Sequence, residues 1–323
     1  MSLDVHAHLY PKSYCDFLEN KGGQSKVMAA RVYGLAGNNP FFTGAIEARL
    51  ELMDAAGIDR QVLSIPNQNI LVEDPATCAS HAAAANNELA AVCQRYPGRF
   101  TLFASLPLIN AEKALQELRR SRETHGAVGI IVPTHVLGRP LDWDGMEPVY
   151  AALEDMELPV FLHPADPVCP AAPAGFKNFG LTPAIYYPTE DAHALMRIVY
   201  GGVLERHPRL RVICPHLGGV IPFILWRLHG HPGKPGSEAG EAGLPHPLDY
   251  YLDKVRFDSV TLHPPAMRCA CETFGPDHLV LGTDFPFVDG PGMKRIHQII
   301  DELPIGPGDR EGILEKNLRA WIP

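Results

Sequence analysis

The chain has 323 residues, and 37 acidic against 28 basic residues give it a net charge of −9. This charge argues against a nucleic-acid or anionic membrane surface as the main partner. A hydrophobic fraction of 46% and a charged fraction of 20% exclude global disorder and leave room for one large α/β domain or two ordinary ones. No apolar run approaches the roughly 18–20 residues of a membrane span.

Seven cysteines are present, and none form a CxxC pair. An odd number in a chain of this length favours a reducing compartment over a disulfide framework. Residues 1–4 show neither the basic nor the apolar region of a secretory leader. We therefore expect a cytoplasmic protein.

Eight short apolar segments predict β-strands. They are rich in β-branched and aromatic residues, and several are apolar on both faces, as in strands of a covered parallel sheet. In chain order they cover residues 3–5, 61–65, 100–104, 128–132, 160–162, 211–214, 255–257 and 279–281.

Helical patterns separate these strands. The first places Ile46, Leu50 and Met53 at helical spacing. The predicted helices cover residues 45–56, 75–95, 111–123, 144–156, 189–205, 220–229, 265–274, 292–303 and 310–321. Strand–helix alternation repeated over this length predicts an α/β fold, a (β/α)₈ barrel of TIM type, forming a single domain over residues 1–323. A doubly wound open sheet is the alternative, but no glycine-rich phosphate-binding turn follows the first strand.

Three connections are too long for plain loops and predict long insertions in the barrel. They cover residues 21–44, 164–188 and 230–249. The first two contain several aromatic residues, which favour a lid or a contact between subunits over a linker. The third is rich in glycine, proline and glutamate and predicts a mobile connection.

Side chains that can bind metal stand at the carboxyl ends of four predicted strands. His6 and His8 share a face of the first strand, because residues two apart in a strand point the same way. His163, His216 and Asp284 end the fifth, sixth and eighth strands. Catalytic residues of barrel enzymes lie at this rim, so we expect the five side chains to converge on a metal ion. Separate structural roles for each histidine are the alternative.

Three imidazoles and one carboxylate suit a single Zn²⁺ with an open position for water or substrate. Mn²⁺ or Mg²⁺ is the alternative if substrate carboxylates supply further oxygen ligands. No lysine stands at a strand end to form a carbamylated bridge between two ions. A second HxH pair, His229 and His231, lies at a helix end and is not expected to bind metal.

Further polar residues follow other strands at the same rim. Asp258 ends the seventh strand and is predicted either to orient a ligand histidine or water, or to cap a turn. His135 follows the fourth strand and is a candidate substrate contact, and Asn67, after the second strand, is another.

Five motifs carry a resemblance that covers almost the whole chain. They are DVHAHLYP at 4–11, PTHV at 133–136, FLHP at 161–164, PHLGG at 215–219 and LGTDFPF at 281–287. Together they resemble the amidohydrolase superfamily in its amidohydrolase-related branch. Within that branch the chain most resembles α-amino-β-carboxymuconate-ε-semialdehyde decarboxylase and the γ-resorcylate and carboxyvanillate decarboxylases.

The resemblance implies a role for most of these residues. It makes His216 the catalytic histidine beside a metal-bound water, and the metal ligands are then His6, His8, His163 and Asp284. It also implies that Arg227 binds a substrate carboxylate, in some members across a dimer interface, and that Phe287 lines the pocket. The chain departs from these decarboxylases at Leu217, where they have glycine. Arg31 and Arg49 are the nearby candidates for the family's second carboxylate binder.

Two activities fit these residues. The first is a metal-dependent non-oxidative decarboxylase of a small unsaturated or aromatic carboxylic acid, in which His216 moves a proton and Asp284 shares that work. The alternative is a metal-dependent hydrolase of a lactone, amide or related small ring, in which either residue takes a proton from water. A non-catalytic binding barrel would be expected to have lost one of these side chains. The resemblance and the aromatic loops favour a homodimer.

Overall fold

A computed structural model describes residues 1–21, 39–66, 70–165, 178–230 and 244–322. Much of the three predicted insertions lies outside these ranges. The interpretations of Arg31, Asn67 and His231 also fall on residues outside them.

Short parallel strands form the wall of the fold. We call each strand position in the barrel wall a stave. A single residue, Phe103, separates β3 from β4, so these two strands together form one stave, and the described residues supply eight staves. The strands are β1 (Leu3–His8), β2 (Arg60–Ser64), β3 (Phe100–Leu102), β4 (Ala104–Ser105), β5 (Ile130–Pro133), β6 (Val160–His163), β7 (Val212–Cys214), β8 (Val255–Asp258) and β9 (Leu279–Val280). They match the eight predicted segments in order.

Backbone hydrogen bonds join the strands into a ring. One ladder runs β1–β2–β3 and the other runs β9–β8–β7–β6–β5–β4. The Phe103 N–H donates to the carbonyl of Leu63 at 3.0 Å, which carries the pairing from one ladder to the other. The Val5 N–H donates to the carbonyl of Leu281 at 2.8 Å, which links the last stave to the first. The fold is the predicted α/β barrel.

The inside of the ring is packed with apolar side chains below the level of the histidines. Val5, Phe103 and Phe161 from three staves are fully buried in this layer. Trp321 near the end of the chain packs against the same layer, and the Arg256 guanidinium lies 4.5 Å from its ring centroid. This end of the barrel is therefore filled, and polar side chains are left to the opposite rim.

Helices surround the ring, and most lie within two residues of the predicted bounds. The longer ones are α1 (Lys12–Lys21), α2 (Ile46–Ala56), α3 (Pro75–Arg95), α4 (Ala111–His125), α5 (Glu147–Asp155), α6 (Tyr187–Tyr200), α7 (Ile221–Gly230), α8 (Pro264–Phe274) and α9 (Gly290–Asp301). Shorter helical segments cover Pro40–Phe42, Asp144–Met146, Asn178–Gly180, Thr182–Tyr186, Val203–Arg206, His216–Gly218, Leu248–Leu252, Pro276–His278, Pro307–Glu311, Gly312–Lys316 and Asn317–Arg319. None of the described helices combines the length and hydrophobicity needed to cross a bilayer.

Helix α1 is absent from the predicted segments. It begins directly after Pro11 and buries Tyr14, Phe17 and Leu18, which are spaced for one helical face. The predicted helix over 189–205 is divided in the structure, because Gly202 adopts a left-handed conformation between α6 and the short helix Val203–Arg206.

Candidate metal centre

Four predicted ligand side chains meet at the carboxyl-end rim of the barrel. One ligand atom from each lies within 4.8 Å of those of the others in the set His6, His8, His163 and Asp284. The Oδ1 atom of Asp284 lies 3.3 Å from Nε2 of His6 and 3.2 Å from Nε2 of His8. The two histidine Nε2 atoms are 2.9 Å apart. β1 delivers both histidines to the same point because they alternate with Ala7 along an extended strand.

Each histidine of the cluster is held through its other ring nitrogen. The Nδ1 contacts are His6 with Asp258 Oδ2 at 2.5 Å, His8 with Ser64 Oγ at 3.0 Å, and His163 with the Pro164 carbonyl at 3.1 Å. These partners leave Nε2 of each ring directed into the cluster. Metal-binding histidines are oriented by partners of this kind.

The chemistry of this donor set fits a divalent cation. Asp284 Oδ1 is buried and, apart from its contacts with Nε2 of His6 and His8, has no hydrogen-bond partner among the residues that the structure describes. A buried carboxylate oxygen without a partner is costly, and a cation at the centre of the cluster would satisfy it. Imidazole nitrogens together with a carboxylate are ligands of borderline divalent ions.

Burial and neighbouring charges set the protonation of these ligands. Burial lowers the pKa of His8 to about 4, which keeps this ring neutral. Burial also acts to lower the pKa of His6, but the carboxylates of Asp284 and Asp258 outweigh it and raise that pKa to about 9. A cation bound here must therefore displace a proton from His6, because a metal ligand has to be deprotonated.

A buried polar network fixes β1 beneath the cluster. Asp4 Oδ2 accepts hydrogen bonds from Gln61 Nε2 at 2.8 Å and from Thr283 Oγ1 at 2.6 Å, which ties three staves together. Arg49 is fully buried and donates to Gln61 Oε1 and to the His8 carbonyl, each at 2.8 Å. Arg49 therefore supports the ligand strand, and the interpretation of it as a candidate carboxylate binder is corrected.

His216 stands beside the cluster in the turn that follows β7. Its Nε2 lies 3.9 Å from Asp284 Oδ2, and its Nδ1 lies 2.8 Å from Oδ2 of the buried Asp191. The backbone N–H of His216 donates to Asp258 Oδ1 at 2.8 Å, so Asp258 contacts both His6 and His216. Asp258 also accepts the N–H of Val260 at 3.0 Å. Both predicted roles of Asp258, orienting a histidine and capping a turn, are thus present in one side chain.

Aromatic side chains form one wall of the centre. The ring centroid of Phe287 lies 5.9 Å from that of His8 and 5.0 Å from that of Phe42, and Phe287 remains 41% exposed. Its N–H donates to the carbonyl of Asp284 at 2.8 Å, so the turn that presents the carboxylate also presents the ring. The position of Phe287 suits the predicted pocket-lining role. Phe42 has no distinctive motif around it and is not among the predicted site residues.

His135 lies in a hairpin that pairs His135–Val136 with Arg139–Pro140. It lines a cavity of about 370 Å³ together with Tyr186, Glu190 and His193 of the facing helical segments. Its Nδ1 accepts the N–H of Gly138 at 3.1 Å, and its Nε2 lies 3.8 Å from Glu190 Oε1. The cavity lining includes none of the cluster residues.

Arg227 lies on the exposed side of α7. Its guanidinium carbon is 5.0 Å from the ring centroid of Trp226, and both side chains are exposed. Phe223, one turn earlier, is 84% exposed, and Trp226 is 71% exposed. None of the contacts described within the chain joins Arg227 to the cluster.

The chain belongs to the amidohydrolase family, whose model matches residues 3–321. It is an enzyme of that family, of the kind that uses a metal ion for carboxy-lyase or hydrolase chemistry.

Two curated relatives cover most of the chain. One is γ-resorcylate decarboxylase of Rhizobium radiobacter, 29% identical over 84% of this chain and 85% of that protein. Another is 2-amino-3-carboxymuconate-6-semialdehyde decarboxylase of Caenorhabditis elegans, 27% identical over 98% and 92%. A similar solved structure is 5-carboxyvanillate decarboxylase of Novosphingobium aromaticivorans with manganese and 4-hydroxy-3-methoxy-5-nitrobenzoic acid. It has a TM-score of 0.86 and 21% identity, covering 99% of this chain and 95% of that one.

Proposed function

We propose that the protein is a metal-dependent non-oxidative decarboxylase of a small aromatic or unsaturated carboxylic acid. The observation that carries the proposal is the placement of His216 Nε2 beside Asp284 at the edge of the three-histidine cluster. A proton-transfer group thus stands next to the point where a bound carboxylate would lie. The decarboxylases among the relatives support the same activity.

We assign the metal ligands as His6, His8, His163 and Asp284. The bound metal would act as a Lewis acid and a template for the substrate carboxylate. His216 would deliver a proton from Nε2 to the carbon that bears the carboxylate, and Asp284 would keep that ring close through its second oxygen. Phe287 would cover one face of the substrate and exclude water. The electron pair of the broken carbon–carbon bond stays on the carbon that receives the proton, and carbon dioxide leaves.

We propose zinc as the metal, because three nitrogen ligands and one carboxylate form a four-ligand set that suits Zn²⁺. Manganese is the competing ion and is the metal in a similar solved structure. Elemental analysis of protein from metal-defined medium, followed by activity after refilling with each ion, separates the two. Higher activity with Mn²⁺ at matched occupancy would replace zinc by manganese.

We further propose that the enzyme is a homodimer in which α7 contributes to the interface. Phe223 and Trp226 are large, exposed and apolar, and Arg227 directly follows Trp226 on the same helix. Burying such side chains against a second copy would remove apolar area from water and bring Arg227 toward the partner's site. Analytical ultracentrifugation of the wild type and of Trp226→Glu tests this, with a dimer expected only for the former. A wild-type monomer at micromolar concentration would refute it.

Three further proposals concern the domain organisation, the cellular location and His135. We propose one domain over residues 1–323, which the family match over 3–321 supports. We propose a cytoplasmic location, since the described cysteines 15, 78, 93, 214, 269 and 271 are free thiols. His135 is proposed as a substrate contact because it follows β5 at the carboxyl-end rim where the cluster lies.

The activity is tested on metal-loaded protein with a panel of small acids. The panel contains hydroxybenzoates, muconate-type acids and, as competitors, small lactones and amides. Release of carbon dioxide from one of the acids is expected. Ring opening of a lactone or amide without carbon dioxide would instead identify a hydrolase.

The role of His216 is tested by His216→Gln, which keeps a polar side chain of similar length. Turnover is expected to fall by at least about 10²-fold, because general acid–base catalysis of this kind contributes that much. Metal content should stay at the wild-type level, since His216 is not an assigned ligand. Loss of metal in step with activity would make His216 a ligand instead.

A further inference from the structure

A buried carboxylate from α6 contacts the catalytic-type histidine. Asp191 Oδ2 lies 2.8 Å from His216 Nδ1, and the Asp191 side chain is fully buried. This is the shortest polar contact described for the ring, since its Nε2 stands 3.9 Å from Asp284. The contact joins two elements, the N-terminal half of α6 and the turn that follows β7.

The second oxygen of Asp191 has no hydrogen-bond partner among the residues that the structure describes. Burying a carboxylate with a single partner is costly, so packing alone does not account for it. An apolar or amide side chain would fill the same space at lower cost. The imidazole of His216 is the group in contact with Asp191 that gains most from a full negative charge.

We propose that Asp191 is a positioning residue that keeps the proton of His216 on Nδ1 and so reserves Nε2 for the reaction. A carboxylate can only accept here, so the ring must present Nδ1–H to it whether the imidazole is neutral or charged. The inference rests on the proposed function, because it takes His216 Nε2 as the atom that moves the proton. In that reaction Nε2–H gives its proton to the substrate carbon, carbon dioxide leaves, and the ring stays neutral with Nδ1–H until solvent returns a proton.

The main chain of His216 is fixed separately. Its N–H donates to Asp258, and its backbone lies in the left-handed region at φ 53°. The main-chain contacts thus place the base of the side chain, while Asp191 fixes the rotation of the ring. Loss of Asp191 should therefore change the ring and leave the turn in place.

The first test is nuclear magnetic resonance of ¹⁵N-histidine-labelled, zinc-loaded protein without substrate. Comparison with His216→Gln identifies the resonances of this ring among those of the other histidines. The wild type is expected to show a protonated Nδ1. An unprotonated Nδ1 overturns the proposal without any Asp191 variant, and this result does not depend on whether the substrate panel succeeds.

The second test is Asp191→Asn, which keeps the shape but can donate as well as accept. We expect kcat to fall by about 10²–10⁴-fold with KM and metal content within about twofold of wild type, because the wrong tautomer becomes populated. The resonances of the ring should show a mixture of tautomers or protonation on Nε2.

The matched control is Asp142→Asn. The Asp142 carboxylate accepts a hydrogen bond at 2.8 Å from Arg197, which lies on α6, the helix that carries Asp191. This variant should leave kcat and the His216 resonances unchanged. If Asp191→Asn keeps the wild-type tautomer and kcat, or if it loses metal and thermal stability in proportion to kcat, Asp191 is a structural residue and the proposal is wrong.

Discussion

A single carboxylate, Asp258, holds two residues of the centre with its two oxygens. Oδ2 contacts the ring of His6, and Oδ1 accepts the N–H of His216. Because the two oxygens belong to one rigid carboxylate, the ring of His6 and the backbone of His216 are tied to the same group. The proposed metal position and the proposed proton-transfer position are thus both tied to one side chain at the end of β8.

Asp258→Asn is expected to weaken metal binding. Its amide can no longer act as an acceptor at both oxygen positions, and losing an orienting partner of a ligand histidine typically costs about 10–100-fold in metal affinity. Competition titration with a chromophoric chelator measures the change. Asp253→Asn, at an exposed position just before β8, is the control and should bind metal as the wild type does. An unchanged affinity in Asp258→Asn would remove this coupling role.

Glu190 is expected to make the stability of the fold depend on pH. Burial raises its pKa from 4.5 in the unfolded chain to about 7 in the folded protein. The folded state therefore holds the proton more tightly, so its contribution to stability is full below about pH 4.5 and is lost as the pH rises through 7. Glu190→Gln, which cannot ionise, should lack this loss.

Between pH 5 and pH 8, the unfolding free energy of the wild type is expected to fall by up to about 3 kcal/mol more than that of Glu190→Gln. Urea denaturation at both pH values measures it. Glu123→Gln, at an exposed helix position, should retain the wild-type pH dependence. If the unfolding free energies of the wild type and Glu190→Gln change equally with pH, burial does not raise the pKa of Glu190.

Sequence reasoning found the residues of the centre that sit at strand ends, because the barrel places all such ends on one rim. His6, His8 and Asp284 follow directly from that rule. Asp191 and Arg49 do not, since both lie inside helices where a charged residue normally faces solvent. Only the packing of α2 and α6 against the staves reveals that these two side chains point inward.

At the scale of elements, the turn after β7 presses against the start of α6. Gly219 has φ 62°, and a Cβ atom built on it would lie 1.8 Å from the Pro188 carbonyl oxygen. No side chain fits at that distance, so glycine allows the His216 turn to approach the helix that carries Asp191. The contact between His216 and Asp191 depends on this close approach.

Gly219→Ala should displace the two elements and destabilise the protein by at least about 2 kcal/mol, since it combines overpacking with an unfavourable backbone conformation. The melting temperature and kcat should both fall. Gly308→Ala is the matched control, because a Cβ there meets nothing within 4 Å. Equal melting temperatures for the two variants would contradict the close packing of the turn on α6.

The sequence predicts most elements because the alternation of strand and helix patterns, and the glycine and proline residues that end helices, are local signals. The strands matched, and the helix over 75–95 was predicted at the bounds Pro75–Arg95 that the structure shows. Helix α1 was missed because its apolar face is short and mixed with charged residues. The division of the predicted helix over 189–205 depends on a left-handed glycine, Gly202, which spacing alone does not reveal.

At the scale of the whole molecule, the cluster joins distant parts of the ring. His6 and His8 lie on the first stave, His163 on the stave of β6, and Asp284 follows the last stave. A bound metal would therefore link the two ends of the barrel sequence. Any ligand that binds only the folded state adds to its stability.

The melting temperature should rise with the concentration of added Zn²⁺ and fall with a chelator. At a free concentration about 100 times the dissociation constant, the gain is about 2.7 kcal/mol. Scanning calorimetry over a series of metal concentrations tests this. His163→Ala, which removes one ligand, should show a much smaller response, and an equal response would place the metal elsewhere.

The separation of the ligands along the chain has a consequence for biosynthesis. Asp284 enters the growing chain 276 residues after His8. At about 5–20 residues per second, the ribosome needs roughly 14–55 s to cover that interval. Throughout it the first strand lacks its final neighbour, and its two histidines lack their carboxylate. The first strand can therefore complete its pairing, and the proposed metal site can be completed, only once the last stave has been made.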